Sequence, residues 1–262
     1  MTAFNQAASQ SRMPFLATIS GLVLLAWLSL WIWGQSPYDR YVSHDHGTGG
    51  VGFLESPAVA ALFIGGWTLM VIAMMLPTTL PLVTLFRGIV RKLDRSVELI
   101  GLLLLGYVGS WVLFGVVAHA GDTGLHLVVD RSNWLTANAW LIASGTLIGA
   151  GVYQFTEMKY RCLDKCRSPY SFIMSYWRGR NRHQESLTLG FHHGLYCIGC
   201  CWTLMLLMFV VGMGNLAWML LLAAVMAIEK NLPWGRKVVR PLGIVLITWG
   251  ISLAAIAMIG GL

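Results

Sequence analysis

The sequence predicts an all-α protein, a polytopic transmembrane bundle of about seven helices with the N terminus inside and the C terminus outside. Three observations carry that prediction. The 262 residues are 56% hydrophobic and only 11% charged, with a mean hydropathy of +0.67, outside the range of soluble domains. Apolar runs near the ~20 residues that a bilayer requires recur along the whole chain. Sixteen of the eighteen lysines and arginines fall in alternate connections, where they mark the cytoplasmic side. The net charge of +7 is therefore a statement about topology, and nucleic acid is not an expected partner. The bilayer is.

Taken in order, the expected spans are 14–34, 58–80, 97–119, 137–157, 190–211, 215–229 and 241–260, within a single integral membrane domain covering 1–262. The first run is too long for a signal-peptide core and reads as a helix that stays in the membrane. In the second, Pro77 and Pro81 follow Ala73-Met74-Met75-Leu76 and should break the helix, turning freed carbonyls toward the bundle interior. The sixth is short, beginning after the Gly212, Gly214, Asn215 turn, and snorkelling Glu229 and Lys230 would help it cross. On an N-in arrangement Arg12, the loops holding Arg87 to Arg95 and Lys159 to Arg182, and Lys230 to Arg240 are cytoplasmic. Arg40 and Arg131 lie outside.

Two outer loops are expected, Gln35 to Pro57 with His44 and His46, and Gly121 to Thr136 with Asp122, His126 and Asp130. Gly145 with Gly149 and Gly190 with Gly194 make small-x-x-x-small patterns that let helix backbones approach. If those two faces meet, the cysteine blocks converge. Ser168 to Glu185 is the longest cytoplasmic excursion, and its Tyr170, Phe172, Tyr176 and Trp177 suit an interfacial helix.

All five cysteines fall in two blocks. Cys162 and Cys166 stand at i, i+4, a spacing that puts Cβ atoms about 5–6 Å apart, farther than a disulfide allows and suited to sharing a metal. On a helix, His193, Cys197, Cys200 and Cys201 at i, i+4, i+7 and i+8 form one stripe, which Met205 and Met208 continue. Thiolates and imidazoles select soft or borderline ions such as copper(I) or zinc, and thioethers select copper(I). The candidate ligands are thus Cys162, Cys166, Cys197, Cys200, Cys201, His192 and His193. His44, His46, Met70, Met74, Met205 and Met208 are possible outer or path ligands. The basic residues around Cys162 and Cys166 are expected to favour thiolate. Glu157 with Lys159 and Glu229 with Lys230 read as interfacial pairs. No phosphate-binding glycine loop, ATPase motif, haem-attachment motif or hydrolase elbow is present.

Ala73-Met74-Met75-Leu76-Pro77, the Cys162 and Cys166 block ending in Ser168-Pro169, Gly194-Leu195-Tyr196-Cys197-Ile198-Gly199-Cys200-Cys201-Trp202 and Glu229-Lys230 together resemble a bacterial family of uncharacterised, predicted metal-binding integral membrane proteins. The resemblance spans the second to sixth helices and implies no established activity. One departure stands at Glu157, where a proline is frequent in the family; helix four is accordingly expected to run on through Cys166.

The functional expectation is a multi-pass protein of the bacterial inner (cytoplasmic) membrane. It would bind a soft transition metal, copper(I) favoured over zinc, for transport or for delivery to a membrane metalloenzyme or exchange with a metal chaperone. Two alternatives stay open. One is a membrane thiol-disulfide oxidoreductase pairing a cysteine of 197/200/201 with Cys162 or Cys166. The other is an accessory or assembly subunit with a structural zinc.

Overall fold

The computed structural model describes residues 2–35, 57–138, 140–211 and 215–260. Every regular element among them is a helix: α1 Thr2–Gly34, α2 Pro57–Met74, α3 Leu76–Val90, α4 Ser96–Asp130, α5 Asn133–Ala137, α6 Trp140–Tyr153, α7 Glu157–Arg167, α8 Pro169–Tyr176, α9 Arg182–Val211, α10 Leu216–Asn231 and α11 Gly235–Gly260. Pro14–Gly34, Ser96–Asp130, Arg182–Met208 and Gly235–Ile259 are long and apolar enough to cross a bilayer. α1 and α11 turn Leu22, Leu24, Leu25, Ile244, Val245 and Ile256 outward, the surface that hydrocarbon accepts at no cost. The outer loop with His44 and His46 lies outside the described residues.

The prolines break the second span as the sequence predicts. Ala60–Met74 and Leu76–Val90 meet at an angle of 64°, with Met75 between them and Pro77 in the first turn of α3. Proline at 77 removes the N–H that would have bonded to the Ala73 carbonyl. That carbonyl instead accepts the Trp27 indole N–H at 3.2 Å. The Met75 carbonyl accepts the Thr78 hydroxyl at 2.8 Å and the Tyr107 hydroxyl at 3.5 Å. A broken helix is tolerated here because three side chains satisfy the backbone it exposes.

Three sequence expectations are corrected. Residues 121–130 are helix and not loop, so α4 runs 35 residues, about 52 Å at 1.5 Å per residue; the apolar Leu125, Leu127, Val128 and Val129 carry it past the expected end. Helix four does not run through Cys166. α6 stops at Tyr153, and Thr156 caps α7 by accepting the Lys159 N–H, which puts Glu157 at the first helical position, where proline also fits. The segment therefore folds back and lays α7 along α9. The third correction concerns the glycines. Gly190 and Gly194 do not meet Gly145 and Gly149; they seat α9 on α4, where a Cβ would fall 1.9 Å from the Leu103 carbonyl oxygen and 1.8 Å from the Ser110 hydroxyl respectively. Gly145 and Gly149 have nothing within 4 Å, and it is Gly151 that packs α6 against Ile247 and Gly243 of α11.

α9 is the hub, in contact with α4, α6, α7 and α10. Its buried stripe of Cys197, Cys200, Cys201, Leu204, Met205 and Met208 enters one core with Met70, Met74, Met75, Tyr107, Met219 and Met226. At 14 and 16 residues, α6 and α10 reach only about 21 and 24 Å, and the last turn of α10 brings Lys230 to this core.

A candidate soft-metal centre between the broken helix and α9

The sulfur atoms converge from three directions. The α2–α3 break delivers Met75, fully buried, with its Sδ 4.0 Å from Cys201 Sγ. α9 delivers Cys197, Cys200 and Cys201, each about 1% exposed. The thiols of Cys200 and Cys201 bend back onto the Cys197 carbonyl, at 3.1 and 2.9 Å, the back-bonding typical of small polar groups in apolar helices. α7 delivers Cys166, whose Sγ lies 4.0 Å from Cys200 Sγ, and Cys162, which sits against Gly199 so closely that a Cβ there would be 2.5 Å from its sulfur. All five cysteines are free.

The polar members of this chamber come from α4, α3 and α10. Tyr107 Oη is 3.1 Å from Cys197 Sγ. Lys230 Nζ donates toward Cys197 Sγ at 3.0 Å, Thr78 Oγ1 at 3.4 Å, Met75 Sδ at 3.5 Å and Cys201 Sγ at 3.7 Å. A lysine ammonium thus stands inside a cage of three sulfurs. Expecting Glu229 and Lys230 to be an interfacial pair was wrong. Lys230 is 6% exposed and turned inward, while Glu229 pairs with Lys159 of α7 at 2.8 Å, both side chains essentially sealed from solvent. Glu157 pairs with Arg161 instead of Lys159.

These charges also locate α7. Besides Lys159 and Glu229, Asp164 takes Arg236 of α11 at 2.9 Å, and Arg167 donates to the Glu229 and Pro233 carbonyls. Lys159, Arg161 and Arg167 are thereby committed elsewhere, and the thiols are not held down as expected. Burial pushes the Cys162 thiol up, with Cys200 adding to it. Hydrogen bonds with Cys197 and Cys200, followed by burial, push the Cys166 thiol well up.

The two histidines part company. His193 is buried one turn before Cys197, between the rings of Tyr107 and Phe172, and its Nδ1 has no hydrogen-bond partner. His192 points the other way, with Nδ1 on the Thr188 carbonyl and its ring against Tyr176. Among the described residues no three Cys, His, Asp or Glu side chains converge in metal-holding geometry. What does converge is a thiol pair with a thioether, and thioethers select copper(I).

A family model described as PpoB2, copper chaperone, matches residues 64–253. The chain belongs to this copper chaperone family. The match takes in every residue of the chamber, from Met75 through Lys230, and makes the function of the chain copper-related. No curated protein and no solved structure matches.

Reasoning from the sequence missed Met75, Tyr107, Thr78 and Lys230 as parts of the chamber. For Lys230 the signal was present: it continues the stripe Met219, Leu222, Met226 at i+3, i+7 and i+11, all of it buried. A lysine on an apolar stripe points at something polar inside.

Proposed function

We propose that the chain binds copper(I) through Cys197, Cys201 and Met75 and passes it to a membrane metalloenzyme or a soluble chaperone at the bacterial inner membrane, where the chain is a multi-pass protein. The observation that carries the proposal is the meeting of Met75 Sδ and Cys201 Sγ at 4.0 Å beside Cys197. A soft ion bonded to sulfur at about 2.3 Å, as zinc is to thiolate, would hold three trigonal sulfurs about 4.0 Å apart. Cys166 and Cys200 form a second sulfur pair, also 4.0 Å apart, to which the ion would move next. Cys162 and His193 flank the two positions, whereas His192 faces away. Met70, Met74, Met205 and Met208 are buried in the same core and offer thioethers for a path, with His44 and His46 as the outer ligands. A structural zinc is less well supported, since it wants four thiolate or imidazole ligands.

The test is copper X-ray absorption on the loaded protein. The expected spectrum has three sulfur neighbours near 2.3 Å, one of which Met75→Leu removes; a first shell of nitrogen and oxygen alone overturns the reading. One observation favours a second reading, thiol–disulfide exchange. Cys166 and Cys200 need close by only about 2 Å to reach disulfide bonding distance. A defined Cys166–Cys200 bridge in protein isolated with alkylated thiols would favour it over copper carriage.

A further inference from the structure

We infer that Lys230 sets the charge of the ion the chamber accepts, selecting a monovalent over a divalent metal. The inference rests on the copper(I) reading above and names its specificity-determining residue. Cys197 and Cys201, bound to a metal as thiolates, carry two negative charges. The ammonium of Lys230 contributes one positive charge, in direct contact with both sulfurs. A monovalent cation then brings the chamber to neutrality, and a divalent one leaves it at +1. The hydroxyls, the thioether and the nearest carboxylate around the cage do not change this balance. Tyr107 and Thr78 present hydroxyls, Met75 a thioether, and the carboxylate next along α10, Glu229, is matched by Lys159. Lys230 is the one charged side chain among the described residues hydrogen-bonded to these sulfurs.

Burial makes the balance matter. An uncompensated charge in a sealed, low-dielectric interior is strongly unfavourable, and the sulfurs and Lys230 are at most 6% exposed. Thiolates accept zinc as well as copper(I); the buried charge adds to the thioether's preference in telling the two ions apart. The ion takes the ammonium's place among the three sulfurs, and the ammonium on its flexible stem stays beside them, because a thiolate sulfur can accept an N–H while bonded to a metal. In this role Lys230 is a positioning and charge-setting group, not a ligand.

The experiment titrates detergent-purified full-length protein with copper(I) against a chromophoric chelator, and separately with zinc(II). Lys230→Gln should weaken copper(I) at least tenfold and tighten zinc(II) at least tenfold, while Lys230→Arg keeps the wild-type order. Thr78→Asp, which leaves Lys230 in place and sets a carboxylate beside its Nζ, should shift both metals in the same directions and serves if Lys230→Gln does not fold. A parallel loss of both metals, or no change in either, in the folded variant overturns the inference. Failure of the underlying reading has a different signature: the wild type itself takes up no copper(I), or Cys197→Ser with Cys201→Ser binds it as the wild type does.

Discussion

Gly190 and Gly145 occupy matching positions in two copies of one sequence pattern, and changing each to alanine should have opposite effects. At Gly190 the added Cβ would lie 1.9 Å from the Leu103 carbonyl oxygen and 2.8 Å from its carbonyl carbon. These are backbone atoms of α4, so no rotamer can relieve the contact and the helices must separate. Overpacking of this kind costs about 1–3 kcal/mol, and a clash with backbone belongs at the upper end. Alanine returns about 1 kcal/mol of helix propensity, for a net loss of about 2 kcal/mol. For a chain of this size that lowers Tm by about 4–8 °C. Gly145→Ala, with nothing within 4 Å, keeps only the propensity gain and should raise Tm by about 2–4 °C. Thermal unfolding in detergent, followed by circular dichroism at one fixed lipid-to-detergent ratio, measures both. If Gly190→Ala is as stable as the wild type, or if the two alanines act alike, the close seating of α9 on α4 is wrong. The position of the cysteine stripe against Tyr107 then falls with it.

Two further outcomes are expected. Lys159→Met leaves the Glu229 carboxylate buried without its ion-pair partner and should cost about 3–5 kcal/mol, whereas Lys159→Met with Glu229→Met should recover most of that loss in the same unfolding assay. Met75→Leu keeps volume and shape and should change stability by less than about 1.5 kcal/mol, while copper(I) affinity, read by chelator competition, falls.

Much of the fold was legible because the signals were local. Hydropathy found the apolar runs, and Pro77 located the break that presents Met75. The i, i+4, i+7, i+8 spacing placed Cys197, Cys200 and Cys201 on one buried face. What escaped was non-local. Nothing near Gly190 or Gly145 in the chain says which of the two has a neighbouring backbone against it. The stop at Tyr153 depends on Thr156 capping α7 and on the charge pairs that draw Lys159, Asp164 and Arg167 toward α10 and α11. In the sequence Lys230 reads as a snorkelling end-group because it closes a short span, and as an interfacial partner because its neighbour is Glu229. In the folded chain that carboxylate goes to Lys159, 70 residues away, and Lys230 is left to the sulfurs. The same contest explains the thiols of Cys162 and Cys166: the sequence counts the nearby cations, but Lys159, Arg161 and Arg167 are aimed at oxygens elsewhere.

The account turns on copper held by sulfur in the chamber under the α2–α3 break. The most direct measurement is the copper content per chain of protein loaded with copper(I) under anaerobic conditions, in the wild type and in the variant carrying Cys197→Ser and Cys201→Ser. About one copper per chain in the wild type, lost from a variant that still elutes as a folded species, is the predicted result. A variant that retains its copper would contradict the account, since the ion would then lie somewhere other than between Cys197, Cys201 and Met75.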